Sequence, residues 1–198
     1  MSHDTAAPGP RIAPVTDPDE DLASRLTAVP SDAAGRPLNL FATLAHRPRL
    51  LTQLNALGGR LMFDGVLADR ERELVILRIA AHTGCTYEIR AHRALAATAG
   101  LDGDEIAAAL DPGTGRAWPA GDAALLGVVD DLAAGADVSD PSWAALDGVL
   151  DDDAGRVELL VLVGFYRMLA GVLNGARVEA DDVVAGPHGR LGAAPDRG

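Results

Sequence analysis

Four side chains in one short stretch have the types and spacing for proton chemistry: Glu73, Cys85, Glu88 and His92. Cys85, Glu88 and His92 are three and four residues apart, so on a helix they share one face. Ile89, Leu95, Ala96 and Ala99 fall on the same side, which marks it as the inward one. Glu73 sits in the middle of an apolar arc formed by Leu74, Ile76, Leu77, Ala80 and Ala81 on the helix before. A carboxyl group on an apolar face loses hydration, and its pKa rises. Lifted toward neutrality, it serves as a general acid or base. Cys85, at the start of its helix, is expected to gain thiolate character from the helix dipole.

Two helices must position these groups. The first is expected over about 70–82, with Asp69 as its cap and Glu71, Arg78 and His82 on a polar side. The second is expected over about 85–99, ending at Gly100, with Arg90 and Arg93 outward. The break at Thr83-Gly84 is tight enough to pack them antiparallel. Shorter helices are expected before them, near 19–29, 39–46 and 49–63. Asp102 and Glu105 make a capping box for the helix that follows, with Leu101 stapled to Ile106. Further helices are expected over 122–134, 141–150 and 156–174. The last is apolar nearly all round and reads as the central buried helix. No strand pattern emerges, so the fold class is all-α. Residues 1–18 are Pro-rich and read as an extended arm, 19–184 as the helical domain, and 185–198 as a loose tail.

Composition narrows the function. Hydrophobic residues make up 48% of the 198 residues, enough for a sizeable core, and the formal charge is −12. Such a chain repels nucleic-acid phosphates and anionic lipid, so no nucleic-acid or membrane partner is expected. All 17 basic residues are Arg. The lack of lysine removes Schiff-base chemistry and the P-loop. Cys85 is the only cysteine, which excludes an intrachain disulfide and points to a reducing, cytoplasmic setting. The N-terminal residues are polar and Pro-rich with no apolar stretch, so no signal peptide is expected, and the longest apolar run, Leu159 to Val163, is short of a membrane span.

Plainer roles exist for each residue. Glu73 can pair with an arginine such as Arg167, His92 can be a satisfied core histidine, and Cys85 a small buried hydrophobe. Glu73, Glu88 and His92 also contain metal-ligand types, but too few for the usual set. Tyr87, at the edge of the apolar face, is either core filler or a pocket-lining hydroxyl.

Arg72-Glu73-Leu74, Leu77-Arg78, Tyr87-Glu88-x-x-x-His92 and Ala99-Gly100-Leu101 with Glu105-Ile106 together resemble the carboxymuconolactone decarboxylase family. That family lies within the alkylhydroperoxidase D-like (AhpD-like) superfamily. The resemblance is strongest from Asn39 to Leu110. It implies an all-α fold, assembly into homotrimers or hexamers, a small-molecule substrate and no cofactor. In the peroxidase branch Cys85 matches the first cysteine of a Cys-x-x-Cys-x-x-x-His motif, His92 its histidine and Glu73 an upstream acid. Glu88 stands in place of the second cysteine, so a two-thiol cycle within one chain is impossible. The expectation is therefore a lyase or decarboxylase-type enzyme acting on a small lactone or oxygenated organic acid. Glu73, Glu88 and His92 would move protons, Tyr87 would line the pocket, and Arg78 or Arg167 would hold a substrate carboxylate. A peroxidase using Cys85 as a single thiol, or a non-catalytic ligand-binding oligomer, are the rivals.

Overall fold

The computed structural model describes residues 9–150 and 152–181. Among them there are nine α-helices and no strand, as the sequence pattern predicts. They are α1 (Glu20–Leu26), α2 (Asn39–Leu44), α3 (Pro48–Phe63), α4 (Asp69–Thr83), α5 (Thr86–Thr98), α6 (Gly103–Leu110), α7 (Ala120–Ala134), α8 (Asp140–Ala144) and α9 (Asp153–Ala176). The expected tail over 185–198 lies outside the described residues.

Helix α4 is the axis of the bundle. It packs against α5, α6, α7 and α9, and every residue from Arg72 to Ala80 is buried. One side, Val75, Ile76 and Ile79, joins Leu125, Val128 and Val129 of α7 and Leu159 and Leu162 of α9. The other, Leu74 and Leu77, joins Ala96 of α5, Ala109 of α6 and Leu126 of α7. This corrects the expected polar side. Arg78 is buried, and its guanidinium donates to both oxygens of Asp130 on α7 at 2.6 and 2.8 Å and to the Ala108 carbonyl at 3.3 Å. Periodicity sees only one helix, whereas the partner that lets Arg78 go inside lies far along the chain. The central position expected for α9 passes to α4. Half of α9's most apolar window is buried, though by length and composition alone it could cross a membrane. Val157, Val161 and Met168 leave one of its faces exposed.

Local rules set the ends of these helices. Asp19, Asp102, Ser139 and Asp152 each accept from a first-turn N–H, which satisfies otherwise orphaned donors. The Asp102–Glu105 box forms as expected, with bonds of 2.7 and 2.9 Å in both directions. At α4 the cap differs from expectation. Ala68 is the N-cap, the Glu71 carboxylate accepts from its N–H at 3.0 Å, and Asp69 is left to bind Arg72 at 2.7 Å.

The α4–α5 turn matters most for function. Gly84 ends α4 in the left-handed region, at φ 59°, and the Cys85 N–H bonds back to the Ala80 carbonyl at 2.9 Å. Asn174 of α9 donates to the Thr83 carbonyl at 2.9 Å and pins the turn from outside. The reversal lays α5 along α4 with Glu88 and His92 facing inward. The segment before α1 runs past the end of α9 and along α2. Arg11 and Ile12 donate their N–H groups to the Ala176 carbonyl, and Val15 donates to that of Ala42. The residue 9–18 segment thus runs against its own fold.

A Cβ at Gly84 would meet nothing within 4 Å, so Gly84→Ala tests conformation alone. It should cost about 1 kcal/mol, read as a lower urea midpoint with an unchanged m-value. An unchanged midpoint would contradict the role given to this turn.

Candidate active site

Glu73 and His92 meet across the α4–α5 interface. Glu73 Oε2 and His92 Nδ1 are 2.7 Å apart, with side chains only 1% and 5% exposed. The other Glu73 oxygen faces Arg72, whose Nε and Nη2 are both 3.4 Å away. The Glu73 carboxyl group is thus paired on both sides inside the core. It also fixes the imidazole: with Nδ1 engaged, Nε2 is the nitrogen left to act. Tyr166 of α9 packs edge-on against the ring, centroids 5.1 Å apart at 85°.

Glu88, one helical turn from His92, is placed differently. It is 3% exposed, and neither carboxyl oxygen has a hydrogen-bond partner. Burial pushes its pKa up to about 8, and the Cys85 thiol nearby offsets only part of that rise. At neutral pH Glu88 is therefore mostly a protonated acid, with the Cys85 thiol, a weak hydrogen-bonding group, beside it.

Cys85 departs from the expectation. It is the N-cap of α5 rather than its first helical residue and is fully buried. Burial, then the Glu88 carboxyl, pushes the thiol up to about 12. Desolvation outweighs the helix dipole here, and Cys85 is held as a neutral thiol next to Glu88.

Glu88 and His92 open onto a cavity of roughly 890 Å³. Its buried end is formed by Tyr87, Glu88, Ala91 and His92 of α5 with Phe165, Tyr166, Leu169 and Leu173 of α9. Leu38, Leu40, Phe41 and Leu44 close one side and the α3 residues Leu54, Gly58 and Gly59 another. A Cβ at Gly58 would stand 3.3 Å from the Phe165 ring, close enough that the ring would have to shift by a few tenths of an ångström. The α1–α2 loop and Arg60, Phe63 and Asp64 border the more exposed end.

The structure therefore brings Glu73, Cys85, Glu88 and His92 together, with Tyr87 in the same wall. The Tyr87 hydroxyl donates to Asp181 at 2.5 Å and accepts from the Leu40 N–H at 3.4 Å, so it fastens α5 to α2 and the segment after α9. Burial and the Asp181 carboxylate push its ionisation up. The two arginines expected to hold a carboxylate do not border the cavity. Arg78 is committed to Asp130, and Arg167 donates to the Leu132 and Gly135 carbonyls at the end of α7. One step along a helix turns a side chain by about 100°, so Arg167 points away although Tyr166 points in. Glu73 accordingly pairs with Arg72 and His92, not with Arg167.

Sequence reading missed Tyr166, Arg72 and Asp181. Tyr166 interrupts an otherwise apolar helix, and Arg72 abuts the buried acid in sequence. Asp181 carried no such signal. Among the described residues, no group of three His, Cys, Asp or Glu side chains is disposed to hold a metal ion.

The position of Glu88 predicts a pH effect on stability. Its carboxyl ionises near 4.5 when solvated and at about 8 in the fold. Between those values the folded state keeps a proton that the unfolded chain has released. Stability must therefore fall as pH rises through that window, by up to about 1.4 kcal/mol per pH unit. Glu88→Gln removes the dependence. In urea unfolding at about pH 5 and about pH 8, the variant should gain on the wild type at the higher pH. A gap of equal size at both would contradict the burial of an unpaired acid.

Comparison with known proteins places this geometry. The pattern of the carboxymuconolactone decarboxylase family matches residues 48–130. No relative is matched among curated proteins. Solved structures share the fold at low identity. An uncharacterized peroxidase-related protein from Ralstonia eutropha JMP134, described as an alkylhydroperoxidase AhpD core, is 23% identical with a TM-score of 0.72, over 89% of this chain and 95% of that one. An uncharacterized peroxidase-related protein from Silicibacter sp. TM1040 is 18% identical with a TM-score of 0.76, over 94% and 99%. The debrominase Bmp8 is 13% identical with a TM-score of 0.68, over 86% and 92%. The chain has the AhpD-like helical fold, and its residues 48–130, which carry Glu73, Cys85, Glu88 and His92, match the pattern of the carboxymuconolactone decarboxylase family.

Proposed function

We propose that this protein is a cofactor-independent acid–base enzyme of the lyase or decarboxylase type, acting on a small lactone or oxygenated organic acid. The observation that carries the reading is the Glu88 carboxyl, unpartnered at the buried end of a cavity beside an imidazole held by Glu73. Buried polar groups in folded proteins are nearly always bonded. One that is left free and protonated at a cavity wall is suited to a reaction partner.

The chemistry follows from the protonation states. A bond to the carbon beside a substrate carbonyl breaks, to hydrogen in an isomerisation or to a departing carboxyl carbon in a decarboxylation. The electron pair passes into the carbonyl as an enolate. His92 Nε2 takes the proton in the first case and stabilises the enolate in the second. Glu88 then gives its proton to carbon and is reprotonated from solvent or from His92. Glu73 keeps the imidazole in one orientation and balances its charge when it is protonated.

The thiol reading finds no support in the surroundings of Cys85. A peroxidatic cysteine needs thiolate character and access, whereas this one is fully buried and raised to about 12. A purely structural role for the set leaves the unpaired Glu88 without a reason.

Turnover of a panel of small lactones and keto acids, followed by NMR, tests the proposal. Glu73→Gln, Glu88→Gln and His92→Ala should each lower kcat by roughly 10²–10⁴-fold, and Cys85→Ala should leave it near wild type. With Glu88 as the acid, kcat should fall as pH rises past about 8. Full turnover in both Glu73→Gln and His92→Ala, or peroxide consumption that is lost in Cys85→Ala, would overturn it.

A further inference from the structure

The cavity has a polar end and apolar walls, and its charges are unevenly placed. Leu40, Phe165, Leu169 and Leu173 surround the approach to Glu88 and His92. Of the described residues that border the cavity, the only lysine or arginine is Arg60. Arg60 lies at the exposed end, already paired with Asp64. A second acid at that end, Asp32, is bonded to Arg36. Arg72, the buried cation nearest the site in sequence, is taken up by Asp69 and Glu73.

A substrate carboxylate would thus leave water, pass a border where Asp32 and Asp64 are already matched by Arg36 and Arg60, and come to rest among leucines beside Glu88, with no arginine among the described inner residues to receive it. Moving an ionised group into such a place without a counter-ion is strongly disfavoured, because its hydration is lost and nothing replaces it. The chain's net charge of −12 works against its approach as well. A neutral carbonyl meets none of these costs, and its oxygen can accept a hydrogen bond from protonated Glu88. Size argues in the same direction. Ligand pockets run from about 300 to 1,000 Å³, so a space of roughly 890 Å³ far exceeds a bare lactone ring. The apolar walls suit a hydrocarbon or aromatic body attached to it.

From this arrangement we infer that the substrate is an uncharged carbonyl compound, a lactone or ketone carrying a hydrophobic body, rather than a carboxylate. The inference rests on the acid–base reading and selects within it. It favours proton transfer between carbons over loss of carbon dioxide. His92 Nε2 takes a proton from the carbon beside the carbonyl, and the electron pair moves into the carbonyl oxygen. Glu88 returns a proton to another carbon of the resulting enolate. The substrate gains and loses one proton, so no oxidant or co-reactant is consumed. His92 then passes its proton to Glu88, directly or through water.

Matched pairs test the charge preference independently of turnover. Aryl- and alkyl-substituted lactones and keto esters are compared with the corresponding free acids by ligand-observed NMR on the full chain near neutral pH. The uncharged members should bind, with Kd at least tenfold lower than their acids. Ala91→Leu and Leu169→Phe, which fill the buried end, should each weaken that binding, provided circular dichroism shows the variant folded. Acids that bind as tightly as their neutral partners, or no binding by any uncharged member, would overturn the inference. Preferential binding without turnover would leave the inference standing and count against the acid–base reading instead.

Discussion

Removing a carboxyl group from water without giving it a partner is among the costlier things a fold can do, and the structure around Glu88 is organised by that cost. The side chain is buried, its oxygens are unbonded and its proton is retained to about pH 8. Nearby groups share the consequences. Cys85, behind it, is kept a neutral thiol in part by the same carboxyl. Tyr166 has its ionisation pushed up by burial, then by the charges of Glu73 and Glu88. Two carboxyl groups near one imidazole have been driven apart in character: Glu73 is paired on both sides, while Glu88 has no partner. In the proposed mechanism that separation makes Glu88 the acid and Glu73 the positioning group.

The fold maintains this arrangement from several directions. Helix α4 is enclosed by four other helices, which makes Glu73 immobile as well as dry. Gly84 reverses the chain so that α5 returns along it, and Asn174 holds that turn from α9. Tyr87 ties the cavity wall to Asp181 and to the start of α2, where Asp181 also accepts the Asn39 N–H at 3.0 Å. The site is thus built from one hairpin, while its cavity is enclosed by elements far away in sequence.

That division also explains what could be read in advance. The all-α class and the inward facing of Glu73, Glu88 and His92 follow from a period of about 3.6 residues, and the Asp102–Glu105 cap from local chemistry. Arg78 was misplaced as an outward residue because its acceptor, Asp130, lies 52 positions along the chain. Cys85 was expected to be a reactive thiol because the dipole of its helix is visible in sequence, whereas the depth of its burial is not. The cavity's size, and the absence of a cation among the described residues at its inner end, depend on how α2, α3 and α9 come together. No spacing rule reports that packing, and it is what withdraws Arg78 and Arg167 from the role of substrate anchors.

The claim at the centre of this account is that Glu88 rests as a protonated acid at neutral pH. Its ionisation can be followed directly from the side-chain carboxyl carbon by NMR of the protein labelled with ¹³C-glutamate, with Glu88→Gln identifying the resonance. A titration midpoint near 8 is expected. A midpoint near the solvated value of 4.5 would mean an ionised Glu88 at neutral pH and would contradict the mechanism built on it.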